Sequence, residues 1–357
     1  MDVDYVIIGG GIAGLSAAIR LTELGEKPWI IEAGNYPSHK VCGEFFSPAG
    51  LQALHAWGIY PKEVSFAQFH TPSTSLKFTF PSPAGSLSHF ECDTLLVQKA
   101  RNEGATIKTQ TVVDLLDPHT RELHLSSGKT IKAKHLILAT GRLPNTISSS
   151  LKSQEKIQKP KLFYKGIKAH FEGFPNHNSL EMFSFKDAYI GISPIEKNQF
   201  NVACLATIEK MEKCKSPDGL IKQLQSENTH FDAFFSTGRK LFQEWMCTSI
   251  PQFGIKQIPD WENTYFIGDA AGTIPPATGC GLTIAISSGV LAAEYALRSD
   301  YKGFRKKWIS RYGSQIQWGK QLHRMMVQPA ISTGFIHFST LFPPICHLAY
   351  RLTQPKS

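Results

Sequence analysis

The chain has 357 residues, 42% of them hydrophobic and 19% charged, and a formal net charge of +9. That length supports a sizeable core and two intimately joined domains, and the apolar fraction is that of a folded protein. The basic excess favours anionic partners; no nucleic-acid motif accompanies it, so it suits a phosphorylated cofactor or a lipid surface, or is simply a basic exterior.

The first element is a short apolar strand, Tyr5 to Ile8, followed by Gly9, Gly11 and Gly14 and then a run rich in Ala and Leu. Gly-x-Gly-x-x-Gly between a strand and a helix is the dinucleotide-binding fingerprint. Gly9 permits the tight turn, Gly11 lets backbone approach a pyrophosphate, and Gly14 lets the helix pack closely. The helix N-terminus offers free N–H groups and partial positive charge to phosphates. A second strand, Pro28 to Ile31, ends in Glu32, placed to accept from ribose hydroxyls and to repel a 2′-phosphate. Because the fingerprint begins within ten residues of Met1, no signal or transit peptide is expected. The seven cysteines lack any CxxC pair and read as reduced thiols, with neither a disulfide framework nor a metal site. Both features point to the cytoplasm.

A polar loop from Ala33 to Lys40 leads through Val41–Pro48 into a helix, Ala49 to Trp57. Gln68–His70 and Leu76–Phe80 alternate as strands do, and Asp93–Glu103 reads as a helix with Asp93 as its cap. Thr106–Ile107 and Val112–Val113 are strand-like, and a hairpin turns at Ser126–Gly128. His135–Leu138 is a buried strand ending in Ala139, Thr140 and Gly141, small residues that suit close approach to a ligand. From about Lys161 to Ile250, strand-like alternation over Phe163–Phe171, Leu180–Phe185, Tyr189–Ser193 and Phe200–Ala206 predicts an antiparallel sheet, interrupted by a helical stretch, Pro217–Glu227. Thr264–Ile267 is a further strand, ending in Gly268-Asp269-Ala270-Ala271. A Pro-containing loop, Thr273–Thr278, then precedes Gly279-Cys280-Gly281 and the helix Leu282–Leu297.

Three of these segments resemble the FAD-dependent oxidoreductases of the para-hydroxybenzoate hydroxylase fold: the fingerprint with Glu32, the Ala139-Thr140-Gly141 strand end, and Phe266–Ala271. Within that fold, Lys40-Val41-Cys42-Gly43-Glu44 is similar to a segment of the geranylgeranyl reductase family, as is the pairing of Gly268-Asp269 with Pro275-Pro276 and Gly279-Cys280-Gly281. The resemblance implies FAD. Gly9, Gly11, Ala13 and Gly14 would hold the pyrophosphate and Glu32 with Ala33 the adenosine ribose. Lys40, Cys42 and Gly43 would lie near the cofactor with Ala139, Thr140 and Gly141, and Gly268-Asp269 would bind the ribityl or pyrophosphate part. Pro276 would lie near the cofactor, and the Gly279 to Leu282 turn, with Gly279, Gly281 and Leu282, would place backbone N–H groups and a helix dipole at the flavin's pyrimidine edge.

The resemblance has departures. His89 and Cys92 stand where hydroxylases carry Arg and Leu before Asp93, and Thr140-Gly141-Arg142 replaces their mid-chain Asp-Gly. No second Gly-x-Gly-x-x-Gly exists, so NAD(P)H as external donor would act without a dedicated domain. The halogenase Trp-x-Trp-x-Ile-Pro motif is missing.

The expected fold is therefore α/β, a Rossmann-type FAD-binding domain (1–70, 90–155 and 255–330) with a mixed antiparallel-sheet substrate domain (71–89 and 156–254) and an apolar helical tail (331–357). The expected function is hydride transfer between flavin and an apolar substrate of isoprenoid or lipid type. The alternatives are a monooxygenase acting on an aromatic or apolar compound and a flavin-bound module without turnover. Cys42 is the one catalytic candidate, and a small buried thiol packing beside Gly43 explains it equally well. His39 and Lys40 suit phosphate, although His39 also suits a solvated loop. Cys280 reads as a tolerated small residue, and nothing selects among His89, His170 and His177 as an acid or base. Residues 325–350 contain no Asp, Glu, Lys or Arg. With their interrupting prolines they form either helices on the protein's own core or a pair that covers the active-site mouth or dips into a bilayer.

Overall fold

The computed structural model describes residues 1–142, 162–175 and 178–354; His177, and the part of either predicted domain that falls between 143 and 161, lie outside the described residues. The N-terminal strand Asp2–Ile8 buries Tyr5, Val6, Ile7 and Ile8 in succession, because it lies inside a parallel sheet covered on both faces. Thr106–Lys108, Trp29–Ile31, Asp2–Ile8 and Thr130–Leu138 are neighbours in that order, and Thr264–Phe266 joins the last of them, all pairs parallel. Val113–Asp117 and Glu122–Leu125 extend the sheet as an antiparallel edge. The helices Ile12–Glu23 and Gly281–Leu297 pack against each other so closely that a Cβ on Gly289 would lie 2.4 Å from the Ala13 carbonyl oxygen. Loops leave the carboxyl ends of the parallel strands at Gly9, Glu32, Ala139 and Gly268, the edge where α/β sheets bind ligands.

The second sheet runs Arg239–Lys240, Leu162–Glu172, Phe200–Thr207, Ala188–Pro194, Ser179–Phe185, Lys62–His70, Ser75–Ser86 and Phe45–Phe46, with Met246–Pro251 also on Leu162–Glu172. It is mixed because Ser179–Phe185 pairs parallel with Lys62–His70 while its other neighbours are antiparallel. The sequence boundary at 71 is corrected: Lys62–His70 and even Phe45–Phe46 already belong to this sheet. Alternation along Ser179–Phe185 sends Phe183 and Phe185 into an aromatic core beneath the helices Pro217–Glu227 and Thr229–Phe235, and turns Leu180 and Met182 toward the other sheet.

Three helices close the chain, Tyr301–Met326, Pro329–Leu341 and Pro344–Thr353, the last two opening on prolines whose missing N–H costs nothing in a first turn. Among the described residues no helix is long and apolar enough to cross a membrane. Substitution of Gly289 by Val should force the two nucleotide-side helices apart and cost about 1–3 kcal/mol, read as a lower urea midpoint at unchanged slope.

Candidate active site and cofactor cleft

A cavity of about 890 Å³ lies between the two sheets at the carboxyl ends of the parallel strands. At one end stands the glycine turn. Gly9 has φ +101°, and a Cβ there would lie 2.4 Å from the Ala139 carbonyl oxygen, so no other residue fits. At Gly11 a Cβ would meet only the Lys40 Nζ, at 3.7 Å, which leaves the backbone open to the cavity. The helix from Ile12 has no side-chain cap and no acid in its first turn, so its free N–H groups present positive potential there. Glu32 accepts from the backbone N–H of Gly10 at 2.6 Å and of Gly34 at 2.7 Å, which fixes the turn while its carboxylate still lines the cavity.

A second uncapped helix N-terminus enters farther along, at Gly281 and Leu282, with no acid in its first turn either. Beside it the turn Gly268–Ala270 presents Asp269, whose carboxylate lies 3.7 Å from the Arg142 Nε. Burial raises the Asp269 carboxyl above its usual range, against the pull of Arg142 and Lys256. Burial and the Arg142 charge lower the Lys256 amine to about 8. Two helix N-termini facing one elongated cavity, with a carboxylate between them, fit a cofactor that has an anionic pyrophosphate and a ring that becomes anionic on reduction. FAD is such a molecule.

Between the two termini runs the loop that carries Lys40, Cys42 and Glu44, held by a set of buried polar contacts. Glu44 is fully buried in a left-handed conformation (φ 53°). Lys168 donates to its Oε1, His170 Nε2 lies 2.9 Å from its Oε2, and the His89 backbone N–H donates to Oε1 at 2.7 Å. Burial would raise the Glu44 carboxyl; the His170 hydrogen bond and the Lys168 charge outweigh it and hold the group ionised. Lys168 also donates to the Lys40 carbonyl at 3.1 Å, Asn201 to that of Cys42 at 3.0 Å, and Ser193 to that of Gly43 at 3.0 Å. The second sheet therefore grips this loop through its backbone.

The loop's other side chains point back to the nucleotide domain. His89 Nδ1 lies 3.1 Å from Asp93 Oδ1, and Lys40 donates to Asp93 Oδ2 at 2.6 Å. Cys42 lines the cavity, and its Sγ accepts from the Glu44 backbone N–H at 3.4 Å. Against the effect of burial, Asp93 and Cys42 raise the His89 imidazole to about 9. Against burial likewise, His89 holds the Cys42 thiol below its usual range. Cys42, His89 and Asp93 thus stand in a row behind the cavity wall, with the thiol lowered from its usual range and the imidazole raised.

Beyond this wall the cavity is apolar. Phe69, Leu76, Phe78, Leu180, Met182 and Leu205 of the second sheet line it, and Phe335, Cys346, Ala349 and Tyr350 of the last two helices roof it. Phe78 and Tyr350 rings are 5.1 Å apart. The tail therefore covers the cavity with one of its faces.

The sequence-derived residues Gly9, Gly11, Ala13, Glu32, Ala33, Lys40, Cys42, Gly43, Ala139, Thr140, Gly141, Gly268, Asp269, Pro276, Gly279, Gly281 and Leu282 all line this one cavity. Gly14 lies beneath it, where a Cβ would fall 2.0 Å from the Gly9 carbonyl oxygen. Asp93 is not a helix cap: the helix is His89–Asn102, Ser88 caps it, and Asp93 instead joins His89 to Lys40. His39 is not in a solvated loop: it lines the same cavity, its ring packs on Phe90 and Phe242, and burial and Lys168 lower its pKa. Cys280 is buried and donates to the carbonyls of Thr278 and Thr353. Sequence reasoning missed the roles of Glu44, Lys168 and His170. The one available signal was an acid beside Cys42-Gly43, with Lys and His two residues apart on a strand, a spacing that puts both on one face.

Residues 3–158 match the pyridine nucleotide-disulphide oxidoreductase family. Similar proteins include those named menaquinone reductase from Mycolicibacterium smegmatis, 22% identical over 85% of this chain and 79% of that protein, and from Mycobacterium tuberculosis, 22% identical over 92% and 85%. Among solved structures, the flavin-dependent brominase Bmp2 superposes with a TM-score of 0.83 at 18% identity, covering 99% of this chain and 93% of that one. PqsL from Pseudomonas aeruginosa superposes at 0.74 and 16%, covering 94% and 99%. At such identities the structural likeness establishes the fold: a Rossmann-type domain joined to a mixed-sheet domain.

Two outcomes follow from the paired groups. Glu44→Gln leaves Lys168 buried without its counter-charge and should cost about 3–5 kcal/mol, read from urea unfolding at neutral pH. Because the folded Glu44 carboxyl titrates below its unfolded value, its contribution is present above the usual carboxylate range and is lost as pH falls through the lower folded value. Site-resolved alkylation of Cys42 should persist to lower pH than for an ordinary thiol, and His89→Gln should move its midpoint upward, since burial then acts unopposed. An unchanged Cys42 profile in that variant would remove the pair.

Proposed function

We propose that this FAD-dependent oxidoreductase reduces an apolar substrate carrying an isoprenoid chain, a prenylated quinone or a related polyunsaturated lipid. The carrying observation is the division of one cavity into a polar, cofactor-shaped end and an apolar arm, with the Cys42–His89–Asp93 chain at the boundary. The name of the mycobacterial relatives supports a quinone-type substrate, and the likeness of Lys40–Glu44 to the geranylgeranyl reductases supports a prenyl chain. We assign the glycine turn, Glu32, Asp269 and the Gly279–Leu282 turn to the cofactor, and the cytoplasm as the place of work.

Bound FAD, reduced by a donor such as NAD(P)H, supplies the hydride. Saturating a double bond, or reducing a quinone, takes a hydride and one proton. His89 holds that proton: Asp93 fixes the ring and stabilises its charge, while Cys42 stands beside it at the cavity wall. The apolar arm orients the chain, and its roof, with Phe78 and Tyr350 in contact, excludes water from the transfer.

The test is anaerobic. Flavin-loaded protein is photoreduced, mixed with a polyprenyl quinone, and followed by flavin absorbance and product mass. Reoxidation without oxygen and a product richer by two hydrogens are expected, and His89→Gln should slow the step about 100-fold. A product formed only in air and richer by one oxygen atom would assign the monooxygenase alternative. No reoxidation and no product under either gas would leave the non-catalytic alternative.

A further inference from the structure

The last 57 residues hold nine Lys or Arg and no Asp or Glu. The entire +9 formal charge therefore lies in this C-terminal stretch, and the first 300 residues are neutral in balance. The stretch begins with the basic helix Tyr301–Met326 and ends in the two helices that roof the apolar arm.

The helix Pro329–Leu341 buries Ile336 together with two serines and leaves three large apolar side chains exposed. Its buried positions include Ser332 and Ser339, whose hydroxyls donate inward to the carbonyls of Met325 and Phe335. Its exposed positions include Ile331, Phe338 and Leu341, the last 74% exposed. The exposed set continues through Phe342, at 57%, to Leu348 on the next helix. Water disfavours such an arrangement, in which polar groups are inside and large apolar side chains outside. Thr333 donates to Thr71 Oγ1 at 3.0 Å and fixes the helix in this orientation.

We propose that these helices dock the protein on an anionic lipid bilayer. Ile331, Phe338, Leu341, Phe342 and Leu348 would enter the acyl region, while exposed Arg324 and Arg351 beside them meet lipid phosphates. A lipid surface satisfies both features of the stretch, because it offers hydrocarbon to the outward apolar face and negative charge to a stretch with no acid. Docking brings the roof of the apolar arm against the lipid in which a prenylated substrate dissolves, so the inference rests on the function proposed above. A second copy of this chain would also cover the apolar face, but it would bring another nine positive charges against the first.

The experiment is flotation of the flavin-loaded full chain with vesicles of phosphatidylcholine containing phosphatidylglycerol, against phosphatidylcholine alone. Wild-type protein should float with the anionic vesicles, and rising salt should release it. The double variant Leu341→Ser/Phe342→Ser should partition at least about tenfold less. Absence of wild-type flotation at low salt, or equal flotation of the variant, overturns the proposal. So does a dimer, seen by light scattering, that the double substitution splits while vesicle binding is nil. Reoxidation of the reduced flavin by a short-chain quinone is measured in parallel without vesicles and should be equal in both proteins. Failure of that reaction bears on the proposed chemistry, and failure of flotation on the docking alone. The salt titration of the wild type decides the electrostatic part even if the variant folds poorly.

Discussion

The buried Glu44 carboxylate ties the two sheets into one enzyme. It projects from a loop of the nucleotide domain and is held by Lys168 and His170 from the facing strand of the second sheet. A carboxylate and an amine with no solvent exposure need partners, and here they have them: the His89 amide adds to the carboxylate, and the Lys40 carbonyl takes a second Lys168 proton. This requirement fixes the spacing between the sheets and hence the width of the cavity. It also accounts for an acid in a left-handed conformation that glycine would adopt more easily.

Pinning the loop from one side determines what its other side presents. With the carbonyls of Lys40, Cys42 and Gly43 held by the second sheet, the Lys40 and Cys42 side chains face the nucleotide domain, where Asp93 and His89 await them. The result is two chains of charge back to back. One is structural and inaccessible; the other is open to the cavity and able to hold a proton near neutral pH. Burial alone would push the Cys42 and His89 groups toward their neutral forms; Asp93 reverses this for His89, and His89 in turn for Cys42.

The cavity between them is asymmetric in the way the proposed reduction of an apolar compound requires. Uncapped helix ends and a carboxylate occupy the strand termini, where a phosphorylated cofactor gains most from fixed dipoles. Aromatic and aliphatic side chains occupy the remainder, where a water-free arm gives the substrate its orientation without polar competition. The basic C-terminal stretch closes that arm and confines the molecule's net charge to one region of the sequence.

Much of this was legible in the residues alone. Gly9 and Gly14 announced the turn because a Cβ at either would strike backbone, Gly11 because it leaves the backbone open to the cavity, and Glu32 and Asp269 stood out as acids at the ends of apolar strands. Period-two alternation marked the second sheet, including the helix that interrupts it. These are local signals, set by sterics within a few residues. The pairing of Glu44 with Lys168 and His170, the linkage of Asp93 to His89 rather than to a helix end, and the start of the second sheet before residue 71 were not legible. The first spans up to 126 positions, and a sequence carries no record of which distant partner satisfies a buried charge; His89 and Asp93 are only four apart, and their pairing was hidden because the helix begins at His89 rather than at Asp93. Local spacing determined where the backbone turns and where a phosphate can approach; only tertiary packing decided which side chains remain ionised, because desolvation and its compensation exist only once both sheets are in place.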